Sequence, residues 1–197
     1  MIIGICGKSG CGKSTLARQI IESKSNKTVH LDIDKVGHNV LLLDEVKDEL
    51  ANAFGKEVVK ENVVDRKKLG EIVFNKREEM SRLTDITWKH MQMEIDKFIN
   101  DNKDNLIILD WLLLPETKYF DMCDIKILLD IPYEIRRDRA MRRDNISEEA
   151  FALREKASVN YNENDFDYVI KTSNKETFKR MVKALWQKFY IQGVLTQ

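Results

Sequence analysis

The chain has 197 residues and a mass of 23.1 kDa, with 33 basic and 33 acidic side chains and therefore no formal net charge. That balance weighs against a partner held by bulk charge, whether nucleic acid or an anionic membrane surface. Charged residues make up 34% and hydrophobic ones 43%, with only 2 Pro and 8 Gly, the profile of a helix-rich soluble domain rather than a disordered or low-complexity chain.

In chain order, apolar runs that read as buried strands fall at 2–6, 28–33, 106–114, 124–131 and 168–171. Helical spacing covers 13–22, 35–53, 65–100, 133–144, 147–160 and 175–190. Strand alternating with helix predicts an α/β fold with a parallel sheet covered on both faces. The stretch 55–104 is expected to be almost entirely helical, with Ile72, Val73, Leu83, Ile86, Met91, Ile95 and Phe98 as its apolar positions. It reads as a helical insert between the second and third strands. No apolar run approaches the roughly 18 residues of a membrane span. The apolar start, Met1 to Cys6, lacks a basic region or cleavage site and reads as a strand, not a leader. Cys6, Cys11 and Cys123 have no metal spacing and fit reduced thiols in a cytoplasmic protein.

Gly7-Lys8-Ser9-Gly10-Cys11-Gly12-Lys13-Ser14 fits the pattern G-x-x-x-x-G-K-[ST], between an apolar strand and the helix that runs on through Thr15. Glycines let backbone N–H groups converge on phosphate oxygens, and the following helix points its positive end at the same anion. Lys13 is placed to bridge terminal phosphates, and the Ser14 hydroxyl to ligate Mg²⁺. With the strand–helix alternation, the loop predicts an α/β phosphate-loop NTPase fold of three layers that binds a nucleoside triphosphate. Two readings of the loop fail on the rest of the chain. No L-S-G-G-Q segment supports a transporter ATPase, and no N-K-x-D supports a GTPase.

Asp32 and Asp34 are expected to end the second strand beside the loop, with alternation sending both carboxylates to one side. Either could instead cap the helix starting at Lys35. Asp110 ends the third strand, either as an acid near a metal or as an ordinary polar strand end. Arg136, Arg137, Arg139, Arg142 and Arg143 make a local positive field, and Arg136, Arg139 and Arg143 share one helical face. The alternative for this cluster is a solvated face balanced by Glu148, Glu149 and Glu155. His30, His38 and His90 show no ligand spacing and read as structural. Trp88, Met91, Met93 and Phe98 read as core, with a ligand pocket as the lesser alternative. Cys11 reads as a small residue of the loop, with an oxidisable thiol at a helix N-terminus that favours thiolate as the lesser alternative.

The chain resembles the dephospho-coenzyme A kinases, relatives of the nucleoside monophosphate kinases. The resemblance rests on Leu31-Asp32-Ile33-Asp34, on Phe54-Gly55 and on Val64-Asp65-Arg66-Lys67-Lys68-Leu69, together with Leu109-Asp110-Trp111-Leu112-Leu113-Leu114-Pro115-Glu116. It continues through Arg139-Ala140-Met141-Arg142-Arg143-Asp144 with Ser147-Glu148-Glu149-Ala150, and ends at Asp167-Tyr168-Val169-Ile170. Trp88-Lys89, Leu112 and Lys156 depart from the family pattern, all on the acceptor side.

The resemblance implies one phosphate-loop kinase domain over 1–197, built on a five-stranded parallel sheet. Its core would be 1–54, 105–135 and 164–197, its acceptor-binding insert 55–104 and its lid 136–163. It implies transfer of the γ-phosphate of ATP to the ribose 3′-hydroxyl of dephospho-coenzyme A, a small-molecule substrate. The alternatives are a nucleoside or nucleoside monophosphate kinase, or a nucleotide-binding regulator that phosphorylates nothing. It implies Asp34 as general base, with Lys13, Arg139 and Arg143 catalytic and Gly7 through Thr15 with those arginines on the nucleotide. Asp32, Asp34, Arg66, Leu113 and Glu116 would meet the acceptor, and Ser14 would hold Mg²⁺ with Asp32 acting through water.

Overall fold

In a computed structural model the described residues are 1–23, 27–73, 76–156, 158–172 and 175–191. They form two compact units, Met1–Asp32 with Asn102–Gln197, and Ile33–Asp101.

In chain order the elements are β1 (Ile2–Cys6), α1 (Lys13–Ser23), β2 (Thr28–Asp32), α2 (Ile33–Val40), α3 (Asp44–Phe54), β3 (Val59–Lys60) and β4 (Val63–Val64). They continue with α4 (Arg66–Val73), α5 (Arg77–Asp101), β5 (Leu106–Asp110), α6 (Lys118–Asp121) and β6 (Ile125–Leu129), then α7 (Tyr133–Asp144), α8 (Glu148–Lys156), β7 (Tyr168–Ile170) and α9 (Lys175–Ile191).

The first unit is built on a five-stranded, all-parallel sheet in the order β2-β5-β1-β6-β7. The central strands explain their own place. Every residue of β5 is buried, as are Ile3 to Cys6 of β1, so both strands need cover on two faces. Alternation sends Ile3 and Ile5 to one side, where they join Ile125, Ile127 and Leu129 of β6, Leu16, Ala17 and Ile20 of α1, and Val182 and Trp186 of α9.

The third strand stops at Asp110, the residue expected to end it, although the apolar run continues four residues further. Its pairing ends there on both sides, with Ile5 and with Asp32, and Pro115 then enters a single 3₁₀ turn, Leu114–Glu116. The second strand stops at Asp32, one residue short of the reading.

In the second unit α2, α3 and α4 each pack on the 25-residue α5. The helix expected over 35–53 is two helices, α2 and α3. Leu42 N and Leu43 N close turns on Asn39 O and Val40 O, and the chain restarts at Asp44-Glu45, acids suited to a helix N-terminus. The helical spacing expected over 65–100 is met by α4 and α5, and residues 74 and 75 of that stretch lie outside the described residues. The stretch after Gly55 also carries a hairpin that helical spacing did not foresee. Strands β3 and β4 are joined by Glu61 and Asn62, both at positive φ (48° and 61°), the turn that matches strand twist. Val73, Met91 and Ile95 are buried as expected, whereas Met93 is 60% exposed and is not a core residue. His90 is buried with its Nε2 3.1 Å from Glu49 Oε1, a structural partnership between α5 and α3.

Candidate active site

The phosphate loop leaves β1 at Gly7 and enters α1 at Lys13, at the C-terminal edge of the sheet, where α/β folds bind ligands. Cys11 N donates to Lys8 O (3.1 Å), and Thr15 N and Leu16 N both donate to Gly12 O (3.0 Å), which starts the helix. Gly10 and Gly12 are both required, for different reasons. Gly10 sits at φ 80° with its missing Cβ only 2.2 Å from Arg136 O, so any side chain there would strike backbone. Gly12 sits at φ 104° in open space, so it answers to conformation alone. Gly10→Ala is therefore expected to destabilise the protein by roughly 2–4 kcal/mol, and more than Gly12→Ala, as thermal unfolding would show. Equal losses for the two would contradict this packing.

The side chains of the motif occupy distinct places. Lys13 Nζ donates to Gly7 O at 3.1 Å, folding the ammonium back over the loop. Ser14 Oγ donates to Asp110 Oδ2 at 2.9 Å. Asp110 is 2% exposed, and the same carboxylate oxygen lies 3.4 Å from His30 Nε2. Asp32 is paired in register with Asp110, so β2 and β5 end in adjacent carboxylates. Among the described residues no cluster of three or more His, Cys, Asp or Glu gathers as a metal cage. The hydroxyl of Ser14 and the carboxylate of Asp110 are hard oxygen donors, and they fit a cation such as Mg²⁺ that keeps most of its waters.

Asp34 does not end a strand. It lies in the first turn of α2, so strand alternation with Asp32 does not apply to it. Arg66 opens α4 in the same unit. Leu113 precedes the 3₁₀ turn after β5 and Glu116 ends it, and Tyr161 Oη donates to Leu112 O (2.8 Å), tying the segment after α8 to that strand end.

The arginine cluster on α7 divides in two. Arg136 is 5% exposed and commits its donors inward. Its Nε donates to Ile131 O (2.8 Å), and Nη1 and Nη2 fork onto Glu155 of α8 (2.8 and 3.0 Å). Its burial separates it from Arg139 and Arg143, with which the helical spacing had grouped it on one face. Arg139 and Arg143 are exposed on the same helix, and Arg143 forks onto Asp144 at 2.7 and 3.0 Å. The hydrogen bonds from Arg143, together with Arg154, hold the Asp144 carboxyl down at about 2. Some of the cluster is the balanced face that composition allowed, since Arg137 pairs with Glu148 at 2.9 Å.

Two structural devices shape α7 and α8. Asn145 ends α7 in the left-handed region (φ 50°), and Ser147 Oγ accepts from Ala150 N (3.3 Å) at the start of α8. Tyr133 and Phe151 then pack ring to ring at 5.4 Å.

Cys11 is buried, and burial pushes its thiol upward more than Lys13 pulls it down. The alternative of a thiolate-prone Cys11 is thus overturned, because desolvation outweighs the helix N-terminus. Burial raises Cys6 likewise, and Cys123 to about 12. No helix among the described residues is long and apolar enough to cross a membrane.

Comparison with known proteins adds an independent line. The family model described as dephospho-CoA kinase matches residues 1–177. The dephospho-CoA kinase of Aquifex aeolicus is 37% identical over 189 residues, 92% of this chain and 94% of that one. That of Fusobacterium nucleatum is 32% identical over 150 residues, 76% of each chain. Among solved structures, TT1252 from Thermus thermophilus superposes with a TM-score of 0.80 at 26% identity, covering 95% of this chain and 97% of that one. The dephospho-CoA kinase from Campylobacter jejuni gives a TM-score of 0.59 at 27% identity, covering 95% and 96%.

Proposed function

The chain belongs to the dephospho-CoA kinase family, and on that premise we propose that it transfers the γ-phosphoryl group of ATP to the ribose 3′-hydroxyl of dephospho-coenzyme A. The observation that carries the reading is the phosphate loop at the sheet edge, with Lys13 folded over it and Ser14 held by Asp110. That arrangement supplies phosphate binding. The family supplies the acceptor.

In the proposed reaction the acceptor 3′-oxygen forms a bond to the γ-phosphorus while the bond from that phosphorus to the β,γ-bridging oxygen breaks. ADP leaves and the hydroxyl proton goes to a base. Asp34 is proposed as that base, on the family resemblance of the Asp32-Ile33-Asp34 segment. Phosphoryl transfer asks the protein mainly for position and charge. The loop amides and the positive end of α1 would hold the β- and γ-phosphates, and Lys13 would swing from Gly7 O to their oxygens. Ser14, with Asp32 and Asp110 beside it, would hold Mg²⁺, which when bound neutralises charge on the phosphate oxygens.

Arg139 and Arg143 are proposed as lid arginines from α7, and 136–163 as the lid that carries them. Their planar forks suit phosphate oxygens, and covering the triphosphate would exclude water. The acceptor would lie against the insert, 55–104, with Arg66, Leu113 and Glu116 as its contacts. The test is the dependence of ATP consumption on added acceptor. Consumption that requires dephospho-coenzyme A supports the reading. Equal consumption with and without an acceptor contradicts it.

A further inference from the structure

The second position of the loop motif is open to any residue, and here it is Lys8. Its ammonium lies 3.0 Å from Glu155 Oε1 of α8. The same Glu155 oxygen accepts from Arg136 Nη2 (3.0 Å), while its Oε2 accepts from Arg136 Nη1 (2.8 Å). Arg136 Nη1 also reaches Ser9 O at 3.4 Å, and the Arg136 backbone oxygen lies only 2.2 Å from where a Cβ on Gly10 would be. One carboxylate on α8 thus ties together a loop lysine and a buried arginine that itself grips the loop backbone.

The peptide bond gives this network a consequence for anion binding. A trans peptide points its C=O and N–H in opposite directions. An Arg136 that engages Ser9 O therefore turns the N–H of Gly10 away from α7. That N–H belongs to the turn whose amides gather phosphate oxygens. The guanidinium can keep its place only while its charge is paired, because it is buried. Hydrogen bonds from Arg136, and then from Lys8, hold the Glu155 carboxyl below its usual range, in keeping with a charged, fully engaged group.

We propose that Glu155 is a positioning residue for the phosphate loop, fixing Lys8 and, through Arg136, the Ser9–Gly10 peptide in the orientation that accepts a nucleotide's phosphates. The inference rests on the ATP-binding reading above and adds to it a coupling between α8 and the loop. No motif position demands it. It also gives Lys8 a task other than touching phosphate, since its ammonium is already engaged by the carboxylate.

The experiment measures ATP dissociation constants by calorimetry, KM and kcat with dephospho-coenzyme A as acceptor, and thermal midpoints. The proteins are wild type, Glu155→Gln, Lys8→Met, the double variant and Arg137→Gln. Glu155→Gln is expected to weaken ATP binding roughly tenfold, the lower end of what losing a charged hydrogen bond costs, and to raise KM for ATP more than it lowers kcat. Lys8→Met breaks only the more exposed arm and should fold even where Glu155→Gln does not, with ATP binding weakened about threefold. Its effect is expected to vanish in the Glu155→Gln background, since both changes open the same bridge. Arg137→Gln, which breaks an exposed pair of the same helices, is expected to leave ATP affinity unchanged. A wild-type ATP affinity in Glu155→Gln or Lys8→Met, whatever the thermal midpoint, overturns the proposal and leaves the kinase reading standing. A wild-type protein that binds no ATP would overturn both.

Discussion

Lys13→Ala is expected to weaken ATP binding and to lower turnover by about 10²–10³-fold, the range seen when one stabilising group is removed from a developing charge. Lys13 is the first residue of α1, and its ammonium is held 3.1 Å from Gly7 O, above the loop rather than out in solvent. A ground-state contact to a carbonyl is easily exchanged for a phosphate oxygen, which carries full charge. Lys8, the other lysine of the loop, cannot replace it while its ammonium is engaged by Glu155 at 3.0 Å. Lys13→Arg is expected not to restore activity, because a broad planar fork does not fit where a compact ammonium did. Equilibrium ATP binding and coupled ADP release measure both effects. An unaltered ATP affinity in Lys13→Ala would contradict the phosphate-loop reading.

Asp34→Asn is expected to leave ATP binding nearly intact and to lower turnover by about 10²–10⁴-fold, the usual contribution of a positioned proton acceptor. Asn keeps the size of the side chain but cannot take the hydroxyl proton. Asp34 stands in the first turn of α2, two residues past Asp32 at the sheet edge. The substitution also removes a negative charge from a helix N-terminus, which costs about 0.3–1 kcal/mol of stability, far less than the expected kinetic loss. Single-turnover kinetics with ATP and acceptor both saturating would isolate the chemical step. Unchanged turnover removes Asp34 from the mechanism.

The sheet and the loop were legible because each rests on a strong local signal. Strands β1 and β5 are short apolar runs buried on both faces, and the loop combines glycines, lysine and serine at fixed spacing. Helix α7 was legible to the residue, with a left-handed Asn145 after it to stop it.

The misses have physical causes. Leu41, Leu42 and Leu43 are good helix formers, so composition hid the break after Val40, which leaves Leu42 61% exposed. The acids at Asp44-Glu45 were the signal for a new helix start. The β3–β4 turn places Glu61 at positive φ, where glycine or asparagine is the usual mark, so Asn62 alone did not announce it. Asp34 was read with the strand because Ile33 continues the apolar alternation, yet Ile33 already opens α2.

In the site, charge spacing on α7 found the arginines but not their burial. Arg136, Arg139 and Arg143 look alike on one helical face. Tertiary contact with Glu155, nineteen residues on, turns the first of them inward. Asp110 touching Ser14 was open in the sequence between metal-site acid and strand end, and only the adjacent β1 and β5 bring the two together.

Mass spectrometry of the product identifies the phosphate acceptor. The purified protein would be given Mg²⁺-ATP with dephospho-coenzyme A, and separately with nucleosides and nucleoside monophosphates. ADP release is expected with dephospho-coenzyme A alone, together with a product heavier by one phosphoryl group and identical to coenzyme A. That result would make Trp88, Leu112 and Lys156 tolerated variations on the acceptor side. Silence with dephospho-coenzyme A and phosphorylation of another acceptor would contradict the proposed function, and would point to those three positions as the place where the scaffold was re-aimed.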